Sequence, residues 1–268
     1  MVVHQHRRTG GALVAAAVVL GAASGCGGAA QDRAPDGSAA VRAAADVLAR
    51  SGSARARTAM EMATGGTRVT IRGEGGVDFR NRMGQLVVML PDDAAGKAEH
   101  RPITELLTPG ALYMKNRGAG VPEDKWVRVD TTSLSDGNLV TGGATDPVAA
   151  AELLRGARDV SYVGETELAG TKVRHYRGTT DIARAARAAS PHARGALEAA
   201  AKGFSKDLVP FDAYLDEAGR LRKVRHRFSY ENNGVIDVSS TTLLYGFGTP
   251  VTVQLPASRD IFAGKIAE

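Results

Sequence analysis

Ala54-Arg55-Ala56-Arg57-Thr58-Ala59-Met60-Glu61-Met62 places small or apolar residues at every second position and Arg55, Arg57 and Glu61 between them. Successive side chains of a strand point to opposite faces, so this period of two predicts a strand with one face on a core and the other in water. The pattern continues in Val69 and Ile71, which alternate with Arg68, Thr70 and Arg72. Gly73, Gly75 and Gly76 interrupt it before Val77-Asp78-Phe79. Gln85-Leu86-Val87-Val88-Met89-Leu90 is apolar at both parities before Pro91, which predicts a strand covered on both faces. Further strands are expected over 103–107, 111–115 and 125–129, with Pro109-Gly110 and Val121-Pro122-Glu123-Asp124 as turns.

Outward from this run, Ser38 reads as the cap of a helix over 39–50, with Val41, Ala44, Ala45 and Leu48 on one stripe. Asp146-Pro147 opens a second helix through Arg155, because aspartate caps and proline fits the first helical position. Hairpins are expected at 160–176 and 211–230, each turning at a glycine, Gly170 or Gly219, in the left-handed region. Asn232-Asn233-Gly234 turns the chain into a strand over 235–245. The Ala-rich stretch 182–204 should be helical but kinked or split at Ser190-Pro191. A last strand over 249–255 is expected to close the domain. Ten to twelve strands in long runs, with three or four helices, define an α+β protein built on an antiparallel sheet.

The other informative region is the N-terminus. Arg7 and Arg8 precede the apolar run Ala12–Ala23, the order of an export signal. Its 12 residues would form a helix of about 18 Å, short of the ~30 Å hydrocarbon core. Ala23-Ser24-Gly25-Cys26 is similar to the lipobox of bacterial lipoproteins, although the family usually has leucine where Ala23 stands. That resemblance implies cleavage before Cys26 and diacylation of its sulfur, which would satisfy the two-chain condition for stable membrane anchoring. The expected division is a signal peptide at 1–25, a tether at 26–37 rich in breakers, and one domain at 38–268. The expected location is the extracytoplasmic face of the cell membrane. Arg7-Arg8 would suit twin-arginine export, but Thr9–Ala12 lacks the large apolar residues of that signal, so the general secretory route stays open.

Composition narrows the function. The formal net charge is +5, Arg7 and Arg8 supplying two of those charges, and no run of five cations occurs, which argues against nucleic acid as a partner. Cys26 is the single cysteine, so no disulfide forms within the chain. Histidine spacings typical of zinc sites are missing, as are G-x-S-x-G, S-x-x-K and P-loop motifs. No cofactor, metal or enzymatic activity is expected. Lys223, Arg225 and Arg227 alternate along one strand, either as a solvated outer face or as a site for anionic lipid headgroups. His226, between them, shares a face with Val224 and Phe228.

Several phrases, in order, resemble actinobacterial lipoproteins of the LppX and LprG type. They include Ala111-Leu112-Tyr113-Met114-Lys115, Lys125-Trp126-Val127-Arg128-Val129-Asp130, Asp146-Pro147, Gly164 through Tyr176, Tyr214 through Leu221, and Phe247-Gly248-Thr249-Pro250-Val251. The resemblance spans most of residues 53–256. It implies a strongly curved half-barrel sheet wrapped around the helices, as in the lipoprotein carrier LolA, with an apolar cavity that binds or shuttles a lipid or glycolipid. The walls expected for that cavity are Val69, Ile71, Phe79, Leu86, Val88, Leu90, Leu106, Met114, Val224, Phe228 and Tyr230, and its volume should reach several hundred Å³. A sensor or structural lipoprotein that binds an envelope partner protein is the other expectation.

Overall fold

The computed structural model describes residues 37–64, 67–91, 101–141, 144–204, 206–231 and 235–264. Eleven antiparallel strands form one sheet: β1 (Ser53–Thr64), β2 (Thr67–Asp78), β3 (Met83–Met89), β4 (Ile103–Thr108), β5 (Ala111–Lys115), β6 (Trp126–Asp130), β7 (Ala157–Leu168), β8 (Thr171–Asp181), β9 (Leu208–Leu215), β10 (Leu221–Glu231) and β11 (Val235–Tyr245). Their spatial order is β6-β5-β4-β3-β2-β1-β11-β10-β9-β8-β7. The chain therefore meanders outward from β1 to one edge, crosses to the opposite edge, and meanders back until β11 pairs with β1.

Four helices, α1 (Gly37–Arg50), α2 (Pro147–Leu153), α3 (Ile182–Ala188) and α4 (Pro191–Gly203), pack on the sheet. Helix α1 buries Val41, Ala44, Ala45 and Leu48, the stripe its spacing requires, and begins at Gly37, ahead of the expected Ser38 cap. Asp146 caps α2, its Oδ1 accepting from Val148 N at 2.7 Å with Pro147 at the first position, and a 3₁₀ turn over Leu154–Gly156 continues it. Pro191 splits the Ala-rich stretch into α3 and α4, because a proline inside a helix has no N–H to donate. Gly170 and Gly219 take φ values of 77° and 76° at their hairpin turns.

Two expectations fail here. Strand β3 is covered on one face only: Leu86 and Val88 are buried, whereas Val87 and Met89 are 40% and 50% exposed. Residues 249–255 form no strand. A strand after β11 has no edge to pair with there, since β11 is already flanked by β1 and β10. Instead this segment crosses the sheet's other face. Ser53 Oγ donates to Thr249 O and Val251 lies against Gly76 where no side chain intervenes; Ile261 then forms a parallel bridge with Trp126 at the free edge of β6.

The crossing between edges is the feature that shapes the interior. Ten strand spacings of about 4.8 Å separate β6 from β7 along the sheet. Residues 131–141 and 144–146 begin that passage between α4 and the sheet, and Leu139, Ala144 and Thr145 are fully buried on the way.

Candidate functional site

The cross-strand register defines an inner face toward the helices. It carries Ala54, Ala56, Thr58 and Met60 of β1, Ile71 and Val77 of β2, Leu86 and Val88 of β3, Met114 of β5, Val224, His226 and Phe228 of β10, and Val238, Ser240 and Thr242 of β11. Of the residues expected to wall a cavity, Val69, Ile71, Leu86, Val88, Met114, Val224 and Phe228 come together on this face. Phe79 is buried at the β2–β3 turn, and Leu90 packs against the same core from beyond β3. Leu106 goes the other way. It pairs with Gln85 and Tyr113 on the outer face, 2% exposed and apart from the main core. Tyr230 pairs with Ile236, but its side chain is outside the described residues, as is Cys26.

These side chains pack against the protein itself. The connector 131–146 and the helices fill the space beneath the sheet, so the expected open cavity of several hundred Å³ is not present among the described residues. What remains is a seam of two small cavities, the larger among α1, α2, Ser190 and the β2–β3 turn and the smaller between α2, α4 and the β4–β5 hairpin. One, of about 100 Å³, is bounded by Ala45, Leu48, Phe79, Ala151, Glu152 and Ser190; the other, of about 50 Å³, by Leu107, Leu112, Asn138, Asp146, Ala193 and Leu197. Arg82, Val148 and His192 border both. Of the expected wall residues only Phe79 lines the seam. Helical spacing faces Val148, Ala151 and Leu154 of α2 inward, but nothing in it marks Val148 and Ala151, or the alanine-rich α4, as lining a cavity rather than core.

The connector is held in place by polar groups. Asp136, fully buried, accepts from the backbone N–H groups of Asn138, Val140 and Thr141. Thr145 Oγ1 donates to Leu139 O and lies 2.6 Å from Ser240 Oγ. Gly137 sits against the Ala196 carbonyl at φ 58°, a position where a Cβ would clash. The only warning in the sequence was a long unpatterned stretch ahead of Asp146-Pro147, and long loops within compact domains tend to carry function.

Several buried polar atoms on or near the inner face lack a hydrogen-bond partner among the described residues: Thr58 Oγ1, Thr242 Oγ1, Asn138 Oδ1, His226 Nε2 and both carboxylate oxygens of Glu105. Burial pushes the Glu105 carboxyl up to about 8; the Arg117 charge offsets part of this and Asp146 adds to it. Burial likewise raises Asp146 to about 6 against the hydrogen bonds from Val148 and Ala149. His226, among Phe211 and Phe228, is held down to about 3 by burial. It is therefore a neutral core histidine. No group of three His, Cys, Asp or Glu side chains is placed to hold a metal among the described residues.

The outer face is different in character. Arg55, Arg57, Arg68, Arg72, Lys223, Arg225 and Arg227 project from it, with Glu61, Glu74 and Asp237 between them. Asp212 gathers His175 at 2.8 Å, Arg177 at 3.1 Å and Arg227 at 2.6 Å. Burial raises that carboxyl, but the three hydrogen bonds outweigh it and hold it at about 2. Open grooves run over this face. One of about 500 Å³ is edged by Arg68, Lys206, Arg225 and Arg227, and one of about 320 Å³ by Arg57, Arg72, Met89 and Leu243.

No protein-family model matches this sequence, and no curated protein does. Solved structures do. The structure is similar to lipoprotein LppX of Mycobacterium tuberculosis at a TM-score of 0.51 and 12% identity, over 82% of this chain and 100% of that one. LprF of Mycobacterium bovis matches at a TM-score of 0.43 and 14% identity, over 84% and 98% of the two chains. A LolA superfamily protein of Nitrosomonas europaea matches at 0.34 and 11% identity, over 79% and 94%. At such identities the LppX likeness establishes the fold alone.

Proposed function

We propose that this chain is an exported lipoprotein, anchored through Cys26, whose domain takes an acyl chain of a lipid or glycolipid into the seam between helices and sheet. The observation that carries this reading is the pair of cavities meeting around Val148 and His192 beneath a helix layer in which small alanines stand between Leu48, Leu153, Ile182 and Leu197. Helix α3 presents Ala185 and Ala186, α2 presents Ala150 and Ala151, and α4 presents Ala200 beside Leu197. Apolar burial contributes roughly 25 cal/mol per Å², so alanine faces hold a helix down far less than leucine faces would. An incoming chain would separate the helices from the sheet and join the two cavities. The packed form described above is then the empty state.

Native mass spectrometry of the Cys26→Ser chain, recovered folded from cells and again after delipidation, tests the proposal. The expected result is an added lipid mass that delipidation removes and a fluorescent fatty acid restores. A clean protein mass with no uptake would overturn it.

That second outcome would favour a non-enzymatic lipoprotein that binds an envelope partner. Its support is that no cavity between helices and sheet exceeds about 100 Å³ among the described residues.

A further inference from the structure

The outer-face cations have no role in the seam, and many have no partner. Arg55, Arg68, Arg72 and Lys206 form no ion pair among the described residues, whereas Arg57 pairs with Glu74, and Arg177 and Arg227 with Asp212. The unpaired cations border the grooves. Arg68 and Lys206 edge the larger one, Arg72 edges the next along β1, and Glu61 and Ala59 lie two residues apart on the strand between them. Apolar side chains stand among the charges. Met89, half exposed, is the direct cross-strand partner of Arg72, and Leu208, also half exposed, lies in the same groove as Lys206. The C-terminal segment covers part of this face at Gly76.

We propose that the outer face of β1, β2, β10 and β11 is a docking surface for an anionic phospholipid bilayer. Charge complementarity selects the occupant. Cations spread over two shallow grooves match a laterally mobile array of phosphates, and the interspersed Met89 and Leu208 match the apolar boundary beneath the headgroups. Attraction of this kind fades within a Debye length, about 8 Å at physiological salt, so the domain must be held close. The proposal rests on the reading of Cys26 as the anchor: only ten residues separate Cys26 from Gly37, so an acyl group there would keep the domain close to the bilayer. The anchor would supply residence at the membrane and the outer face the orientation.

The test compares the lipidated full chain on vesicles of phosphatidylcholine alone with the same chain on phosphatidylcholine mixed with phosphatidylglycerol. The anchor acts equally on both, so the ratio of the two partition constants reports the outer face. Arg68→Gln, Arg72→Gln and Lys206→Gln should each lower that ratio about fivefold, and raised salt should abolish the preference. Arg68→Lys with Arg72→Lys should retain it, which separates charge from folding. Arg184→Gln with Arg187→Gln on α3 should leave it unchanged. A wild-type ratio near one overturns the proposal, as does a triple variant that keeps the ratio while losing an acidic envelope protein. Weak binding to both vesicles with the ratio intact would instead count against the anchor.

Discussion

Thr145 Oγ1 and Ser240 Oγ lie 2.6 Å apart, both buried, and tie the connector beneath the helices to the middle of the sheet. Because Thr145 Oγ1 donates its own proton to Leu139 O, Ser240 is the donor in this pair. The two residues are 95 positions apart. Their contact exists only because β11 returns to the centre of the sheet while the connector crosses beneath it.

This asymmetry makes the two partners unequal on substitution. Ser240→Ala removes a donor from an oxygen that keeps its other bond, so a cost of about 1 kcal/mol is expected. Thr145→Val strands both the Leu139 carbonyl and the Ser240 hydroxyl, and should cost about 2–3 kcal/mol. Urea denaturation of the two variants checks the order. If the connector gates the seam, Thr145→Val also speeds uptake of a fluorescent fatty acid.

Filling the seam should separate stability from binding. Ala193 lines the smaller cavity at the first turn of α4. In Ala193→Leu the gain from added apolar burial and the strain of overpacking are of similar size, so stability should move by no more than about 2 kcal/mol. Fatty-acid uptake should be lost. Uptake at the wild-type level with a folded variant would show that ligand enters elsewhere.

Glu105 makes stability fall as pH rises. Its folded pKa of about 8 lies above the ordinary 4.5, so between those values the unfolded chain releases a proton that the folded chain keeps. Stability is lost across that window, by at most about 5 kcal/mol, and levels off above pH 8. Glu105→Gln should therefore raise the melting temperature at pH 8 and leave it nearly unchanged at pH 4.5. An equal shift at both pH values would show that Glu105 is not kept protonated by its surroundings.

His226 acts in the opposite direction. Its folded pKa of about 3 lies below the ordinary 6.5, so in that interval the unfolded chain binds a proton that the folded chain refuses. Stability contributed by the neutral ring is present above pH 6.5 and lost as pH falls toward 3. His226→Met should flatten the acid limb of a melting-temperature profile, leaving the alkaline limb set by Glu105 intact.

Much of the fold was legible because strands and helix stripes are local patterns. The alternation in Ala54–Met62, the Asp146-Pro147 cap, the break at Pro191 and the hairpin glycines all act within a few residues. Misreadings arose where a distant partner decides burial. Val87 and Met89 look like core by composition, yet they stay 40% and 50% exposed because the C-terminal segment covers the outer face only at Gly76 and merely borders Val87. Leu106 belongs with the cavity walls by composition, yet its parity on β4 sends it to the opposite side from Leu86. The seam residues of α2 and α4 were missed for a related reason: alanine says nothing about whether the space beside it is filled.

The sequence by itself determined the class of fold, because hydrophobic period is set residue by residue. It also carried the alternating cations of β10, whose face follows from parity alone. Only the tertiary structure decided that β11 closes onto β1, that the connector must pass beneath the helices to reach β7, and that the interior is therefore filled rather than hollow. Strand order and the path of a connector depend on contacts between segments far apart in the chain, and no local pattern encodes which of two apolar faces will find the other.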